Sequence, residues 1–371
     1  MIFPRQIFIG VDAARTFCQS VITNIARKKI LFLVSPTVYQ TKICQRIVGS
    51  LGKTSPYYLE SVSSEPDVSM INTIYTSHRN KNIGVIVGIG GGSVLDTAKA
   101  IAVCLSQKKL CEVFLENWNE AKRIINLYLL PTTAGSGSEV TSIAVIKMNN
   151  TKKVIVNDSL VPDAAILDPE FLNSTPLNLR LVAMLDAASH AIEPLWSKNS
   201  NIVTDFYSLG ALNTILRNYK DYLAERKSSN HSLNTQFQVA AMHAGFAFNT
   251  AGVNLAHAFA YALTEQIPLP HGQSVAIALL PVLEYLDAGK INQIIAVKKY
   301  KEFIKQTIIL VNNYAKIIYN VRSVNLDYHR MVTSVKNNKR LMSRLPIKIS
   351  DDELLLITNK INEKITSFSV K

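Results

Sequence analysis

The sequence is poor in the features that define specialised protein classes. Its 371 residues include only 15 Gly and 13 Pro, which excludes a collagen-like or proline-rich architecture. No apolar run reaches the roughly 18–20 residues that a membrane helix needs. The amino terminus lacks the apolar stretch of a secretion signal. We therefore expect a cytoplasmic protein with no membrane partner.

Cysteine is equally scarce. Cys18, Cys44, Cys104 and Cys111 are widely spaced and form no Cys-x-x-Cys motif, so we predict buried, reduced thiols. With 48% hydrophobic and 18% charged residues, the composition is that of a globular protein and excludes general disorder. The length suggests two domains.

The formal charge of +13 is unevenly distributed, since residues 290–371 hold 16 Lys or Arg and only 6 Asp or Glu. These basic residues alternate with Ile, Leu and Val at helical intervals and lack interleaved aromatic clusters. The pattern favours a solvated helix face over a nucleic-acid partner. Steering of an anionic small substrate is a further interpretation.

The amino-terminal part alternates between buried strands and helical stretches, which predicts a parallel α/β sheet. Helical spacing is found in Thr41–Leu51 and Ser93–Leu105, and it dominates from Leu177 onwards. We therefore predict an α/β domain over residues 1–170 and an all-helical domain over 171–371. The predicted strands are Lys29–Val34, Ile83–Val87, Leu127–Leu130, Val154–Val156 and Ala164–Leu167.

Two glycine-bearing loops follow predicted strands. The first, GIGGGS, runs from a buried strand into a helix and contains Gly91, Gly92 and Ser93. Glycines allow close backbone approach, and free N–H groups at a helix start attract phosphate, so we interpret this loop as a pyrophosphate site. The alternative is a simple tight turn. The second loop, 131–141, follows the next strand, and ligands of open parallel sheets bind at that edge.

Three histidines and one aspartate form a candidate metal site. Asp186 and His190 are four residues apart on a predicted helix and so project from one face. His257 and His271 follow in similarly apolar surroundings, where unpaired polar groups are costly. One carboxylate and three imidazoles would suit Fe(II) or Zn. The alternative is a set of helix-face hydrogen bonds and satisfied core histidines.

The motifs together resemble those of the iron-containing (group III) alcohol dehydrogenase family. The matching stretches are GIGGGSVLDTAKA, LPTTAGSGSEVT, VPDAAILDP, DAASHAIEPLWS and NLAHAFAY…PLPHG, in the family's order over roughly residues 80–285.

The resemblance implies a Rossmann-like amino-terminal domain, a helical carboxyl-terminal domain and a nicotinamide cofactor, NAD or NADP, between them. It also implies a divalent metal, Fe(II) or alternatively Zn, and a homodimer or larger homo-oligomer. The implied metal ligands are Asp186, His190, His257 and His271. The implied cofactor contacts are Gly91, Gly92, Ser93, Thr132, Thr133, Thr141 and Lys152.

The sequence departs from the family pattern in three places. Tyr261 replaces a histidine that many members have four residues after the third ligand, and we consider it either a proton relay or an aromatic packed under the site. The strand ending Val34-Ser35-Pro36 lacks the acidic residue that binds the ribose 2′-hydroxyl, so the choice between NAD and NADP stays open. After residue 285 the match is weak.

The expected chemistry is reversible hydride transfer between NAD(P)H and a small aldehyde. Trp196-Ser197 and Tyr261 resemble the phosphonoacetaldehyde reductases of phosphonate biosynthesis, which implies an anionic substrate. A carbon-only alcohol or polyol, as for glycerol dehydrogenase, is the alternative. A sugar-phosphate cyclase or a metal-free structural protein is disfavoured, the first because its Lys and Arg set is not found and the second because the four metal-site residues are intact.

Overall fold

The computed structural model describes residues 2–25, 28–62, 66–149, 151–173, 175–224, 230–287, 295–321 and 326–368. The chain forms two compact units. The first contains Met1–Thr175 and Glu225–Met242, and the second contains Pro176–Ala224 and His243–Lys371.

The first unit is built on a parallel six-stranded sheet. The described residues of this unit form eight strands, namely β1 (Gln6–Ile9), β2 (Lys29–Val34), β3 (Tyr57–Ser61), β4 (Ile83–Gly90), β5 (Asn126–Pro131), β6 (Ile143–Met148), β7 (Thr151–Val156) and β8 (Ala164–Leu167). The order in the large sheet is β1-β8-β5-β4-β2-β3, and β6 pairs with β7 in a separate antiparallel hairpin.

Helices cover both faces of this sheet because its central strands are buried on both sides. Leu31 and Leu33 contribute to the core on one face, whereas Ile30 and Phe32 contribute to the core on the other. The α-helices within the Met1–Thr175 segment of this unit are α1 (Ala13–Ile25), α2 (Pro36–Tyr39), α3 (Lys42–Gly52), α4 (Val68–His78), α5 (Gly92–Gln107) and α6 (Cys111–Glu116).

The regular secondary structure in the described residues of the second unit is all helical. Helix α9 begins in the first unit and ends in the second. The helices are α7 (Leu177–Ile192), α8 (Ile202–Ala224), α9 (His231–Ala251), α10 (Leu255–Thr264), α11 (His271–Asp287), α12 (Ile295–Asn313), α13 (Ala315–Ile318), α14 (Tyr328–Asn337), α15 (Lys339–Met342) and α16 (Asp351–Phe368). The predicted fold class, an α/β domain followed by an all-α domain, is confirmed.

All five predicted strands are present, and the structure adds β1, β3 and β6, which the sequence reading missed. β1 and β3 are the edge strands of the sheet, so their burial is partial and their sequences lack a continuous apolar run. The four cysteines are buried and free, as predicted.

Within the described residues, no helix combines the length and the apolarity that crossing a membrane requires.

One largely buried ion pair fastens the chain around β5. Arg123 Nη1 donates to Asp163 Oδ2 at 2.7 Å, and the same oxygen accepts the backbone N–H of Leu127 at 2.9 Å. The guanidinium also donates to the carbonyls of Ser159 and Val161. The two charged side chains are only 11% and 18% exposed. Removing one partner would therefore leave the other charge poorly compensated.

We expect Asp163→Ala to lower the free energy of unfolding by about 3 kcal/mol, because it deprives Arg123 and Leu127 N–H of one shared acceptor. Arg46→Ala is the matched control, since Arg46 pairs with Glu170 at the surface and such pairs contribute less than about 1 kcal/mol. Urea unfolding measures both variants. Equal losses would contradict the importance of the buried pair.

Candidate functional site

Two helices of the second unit bring three potential metal ligands together. Helix α7 carries Asp186 and His190 on one face, with 3.8 Å between Asp186 Oδ1 and His190 Nδ1. Helix α10 contributes His257, whose Nε2 lies 3.1 Å from His190 Nε2 and 3.9 Å from Asp186 Oδ1. One ligand atom from each residue lies within 4.8 Å of the others. The sequence-predicted combination of these three residues is therefore present.

The donor set fits a divalent transition metal. Asp186, His190 and His257 are buried, with 6%, 6% and 1% of their surface exposed. Burial and the neighbouring His190 hold the pKa of His257 well below its usual value, so the ring is neutral, which is the form that ligates a metal. One carboxylate and two imidazoles in a buried cluster match the ligand preferences of Fe(II) and Zn.

His271 lies beside this group, at the first position of α11. Its ring centroid is 5.6 Å from that of His257. Tyr261, one turn after His257 on α10, stacks on His271 with the ring centroids 5.6 Å apart and the planes at 19°. His271 is outside the compact group of three, so its role as fourth ligand stays a prediction, as does the role of Tyr261 as a proton relay.

Glu193, which the sequence reading did not assign a role, holds His257 in place. One oxygen of its carboxylate accepts a hydrogen bond from His257 Nδ1, and the other oxygen accepts the backbone N–H groups of Asn254 and Ala256 at 3.1 and 2.8 Å. Complete burial raises the pKa of Glu193 to about 7. A carboxylate behind a ligating histidine fixes which ring nitrogen carries the proton, and here it directs His257 Nε2 towards the metal group.

Asn254 links this carboxylate to the start of α10. Its amide donates to the carbonyl of Glu193 at 3.0 Å. Its side-chain oxygen accepts the indole N–H of Trp196 at 2.8 Å and the N–H of Leu255, and so caps the helix. Trp196 and its neighbour Ser197, which bonds to the carbonyl of Ala251, thus support the helix that presents His257.

The glycine loop of the first unit lies at the amino terminus of α5. Gly91 is the residue before the helix, and a Cβ there would make only ordinary contacts with Thr133, at 3.5 and 3.6 Å. At Gly92, by contrast, a Cβ would lie 2.9 Å from that of Ser136. Gly92 therefore allows the two glycine-bearing loops to pack against each other, whereas the face of Gly91 is not required for packing.

The second loop is fastened to α5 by buried charge. Thr132 N donates to the carbonyl of Gly90 at 3.0 Å, since β4 and β5 are neighbours. Lys99 on α5 is fully buried and donates to Thr141 Oγ1 and to the carbonyl of Ile143. Burial lowers the pKa of Lys99 to about 8, although the carboxylates of Asp96 and Glu139 act in the opposite direction.

The remaining predicted cofactor residues lie in the first unit as well. Ser93 is in the first turn of α5. Lys152 is on β7, opposite Lys147 and next to the turn of the hairpin. After β2 the chain continues with Ser35, whose hydroxyl lies 3.1 Å from that of Thr37, and no carboxylate follows the strand. The cofactor contacts at all these positions stay predictions.

Comparison with known families confirms the resemblance. Residues 4–169 match the family described as iron-containing alcohol dehydrogenase, and residues 181–341 match its carboxyl-terminal family. The chain is also 31% identical, over 76% of its length and 71% of the relative's, to choline dehydrogenase of Bacillus subtilis. The chain belongs to the iron-containing alcohol dehydrogenase family.

Other relatives differ in the substrates that their names state. The chain is 34% identical to 4-hydroxybutyrate dehydrogenase of Clostridium kluyveri over 57% of each chain. The matched stretch thus spans little more than half of that relative. The fold is shared with an iron-containing alcohol dehydrogenase of Thermotoga maritima (TM-score 0.86, 23% identity, 98% and 99% coverage). It is also shared with sulfoacetaldehyde reductase of Bifidobacterium kashiwanohense bound to NAD+ (TM-score 0.84, 21% identity, 97% and 98% coverage).

Lys99 and Glu193 were given no role in the sequence analysis, and they differ in how clearly the sequence could have indicated one. Lys99 follows Asp96 by three residues, so a helix-face pair was readable from spacing. Glu193 follows His190 by three residues, yet its hydrogen bond goes to His257, 64 residues away. Only the packing of α10 against the end of α7 makes that contact.

We expect Gly91→Ala to weaken NADH or NADPH binding by roughly tenfold or more, because the added methyl group would stand between the backbone and the pyrophosphate. The fold should persist, since that Cβ makes only ordinary contacts. Gly49→Ala in α3 is the matched control, with no atom within 4 Å of its Cβ. Fluorescence titration measures the affinities, and unchanged binding by the Gly91 variant would refute the assignment of this loop.

Glu193→Gln should weaken Fe(II) or Zn binding by about 10- to 100-fold. The backbone N–H groups would keep the amide oxygen, so the amide nitrogen would face His257 Nδ1 and shift the ring proton to the metal-facing Nε2. Glu265→Gln is the control, because Glu265 is exposed at the end of α10, the helix that carries His257. Competition with a chelator measures affinity, and equal affinities in both variants would show that Glu193 does not orient the ligand.

Proposed function

We propose that the protein catalyses the reversible, NAD(P)-linked interconversion of a small alcohol and its aldehyde at a divalent metal. Asp186, His190 and His257 would hold the metal, with His271 as the fourth ligand. The observation that carries this proposal is the buried group of one carboxylate and two imidazoles, in which Glu193 fixes the position of the ring proton of His257. Family membership supports it, since the relatives are named as dehydrogenases.

When bound, the metal would act as a Lewis acid towards the carbonyl or alkoxide oxygen. The protein's residues do the positioning. Glu193 keeps the proton on His257 Nδ1 and leaves Nε2 free to ligate. The small apolar side chains of α7 and α10, such as Ala187, Ala191 and Ala258, are buried and exclude water around the ligands.

The cofactor would bind in the first unit, at the loops that follow β4 and β5. The N–H groups at the start of α5, around Gly91, Gly92 and Ser93, would receive the pyrophosphate. Thr132, Thr133, Thr141 and Lys152 would contact the ribose and nicotinamide side. Lys99 keeps the loop carrying Thr141 against α5, so the loop geometry is set before the cofactor binds.

Tyr261 would pass a proton to or from the substrate oxygen. It stands one turn after His257 and stacks on His271, so its phenol shares a helix face with a ligand.

Fe(II) is the metal we propose, with Zn as the alternative. No carboxylate follows Val34 to favour a ribose 2′-hydroxyl, so both NAD and NADP are candidates. We further propose a cytoplasmic homodimer or larger homo-oligomer.

For the substrate, we propose phosphonoacetaldehyde, reduced to 2-hydroxyethylphosphonate in phosphonate biosynthesis. The motif around Trp196 and Tyr261 supports this choice, and two of the similar proteins are named for substrates that carry an acidic group. The alternative is a carbon-only alcohol or polyol. A relative named 1-propanol dehydrogenase and a fold neighbour named 1,3-propanediol oxidoreductase favour it.

Purified protein loaded with Fe(II) or Zn should reduce an aldehyde from a panel of phosphonoacetaldehyde, glyceraldehyde and propanal, with NADH or NADPH. His257→Ala should lose both bound metal and turnover, because the incomplete site leaves the other buried ligands unsatisfied. His329→Ala, an exposed imidazole on α14, is the control for both measurements. Full activity without metal in the His257 variant would refute the metal assignment.

A further inference from the structure

Two arginines of the second unit lie close to the helix that carries His257. Arg340 is on α15, which packs against α10, and Arg344 follows four residues later. Both side chains are half-buried, although the carboxyl-terminal region was expected to present its basic residues to solvent. Partly removing a guanidinium from water is unfavourable unless an acceptor or an anion compensates.

The backbone before α10 is shaped around Arg344. Gly252 adopts a φ of +78°, and a Cβ there would lie 2.2 Å from the guanidinium carbon. The guanidinium donates to the carbonyl of Val253 at 3.3 Å, and the carbonyl of Arg344 accepts the N–H of Lys198 at 2.8 Å. Val253 immediately precedes Asn254, which belongs to the network that orients His257. Arg344 is therefore built into the support of the metal group.

The charge of this pair is not balanced by an ion pair. In the described part of the chain, neither Arg340 nor Arg344 forms a salt bridge, and the buried carboxylate of Glu193 is already occupied by other donors. Burial, followed by the charge of Arg340, lowers the pKa of Arg344 to about 10, although Glu193 and Tyr261 act in the opposite direction. The two neighbouring guanidinium groups repel each other, and an anion bound by both would relieve that repulsion.

We propose that Arg344 and Arg340 bind an anionic group of the substrate, so that the enzyme acts on short aldehydes bearing a phosphonate, sulfonate or carboxylate. This proposal rests on the proposed aldehyde reduction at the metal. Guanidinium groups recognise such anions through paired, charge-assisted hydrogen bonds. The two arginines would thereby select the substrate, while the metal group receives its aldehyde end.

The test compares kcat/KM for phosphonoacetaldehyde, sulfoacetaldehyde and the four-carbon carboxylate aldehyde with that for propanal. In Arg344→Gln and Arg340→Gln, the preference for an anionic aldehyde over propanal should fall by about 10- to 100-fold. Arg344→Lys should retain part of it. Arg330→Gln is the matched control, because this arginine of α14 is exposed and its guanidinium donates to the Glu265 carbonyl at the end of α10. The best of the three anionic aldehydes identifies the acidic group.

Equal losses on anionic and neutral aldehydes would overturn the proposal and leave Arg344 with a supporting role only. Because Arg344 fills the space at Gly252, Arg340→Gln provides a variant that does not disturb this packing. Calorimetry of inorganic phosphate with the metal-loaded protein separates failure of this proposal from failure of the proposed aldehyde reduction. Phosphate should bind the parent protein at least tenfold more tightly than either Gln variant, even if no aldehyde is reduced. Indistinguishable affinities would also overturn the proposal.

Discussion

The hydrogen bond between the buried carboxylate of Glu193 and His257 Nδ1 is the interaction on which the candidate centre depends. It joins the end of α7 to the start of α10 and fixes the ring that completes the metal group. The same carboxylate accepts two backbone N–H groups from the segment that begins α10. The same carboxylate therefore positions α10 and orients the ring of His257, so a change at Glu193 would affect both.

Each of the two units uses a buried ionisable side chain to fix the geometry of its candidate site. The first unit prepares its loops with a buried amine, since Lys99 reaches from α5 to Thr141 and holds the second loop in place. The second unit prepares its metal group with a buried acid. In both cases a charged residue in the interior is retained together with several hydrogen-bond partners, which offsets the cost of its burial.

Local spacing made part of this structure predictable. The pair Asp186 and His190 was readable because four residues make one helical turn, and β4 was readable as a continuous apolar run before glycines. Strand β3 was missed because an edge strand is only half buried. The positions of Glu193 and Arg344 relative to His257 depend on packing between distant helices, and no spacing in the sequence encodes that contact.

The left-handed backbone at Gly252 has a consequence for how this protein can change through evolution. A side chain at this position would both strain the backbone and displace the guanidinium of Arg344. The dependence between the two positions should therefore run in one direction among homologues. A lineage that keeps arginine at 344 needs glycine at 252 for both reasons, whereas a lineage that loses the arginine still needs a residue there that tolerates a positive φ.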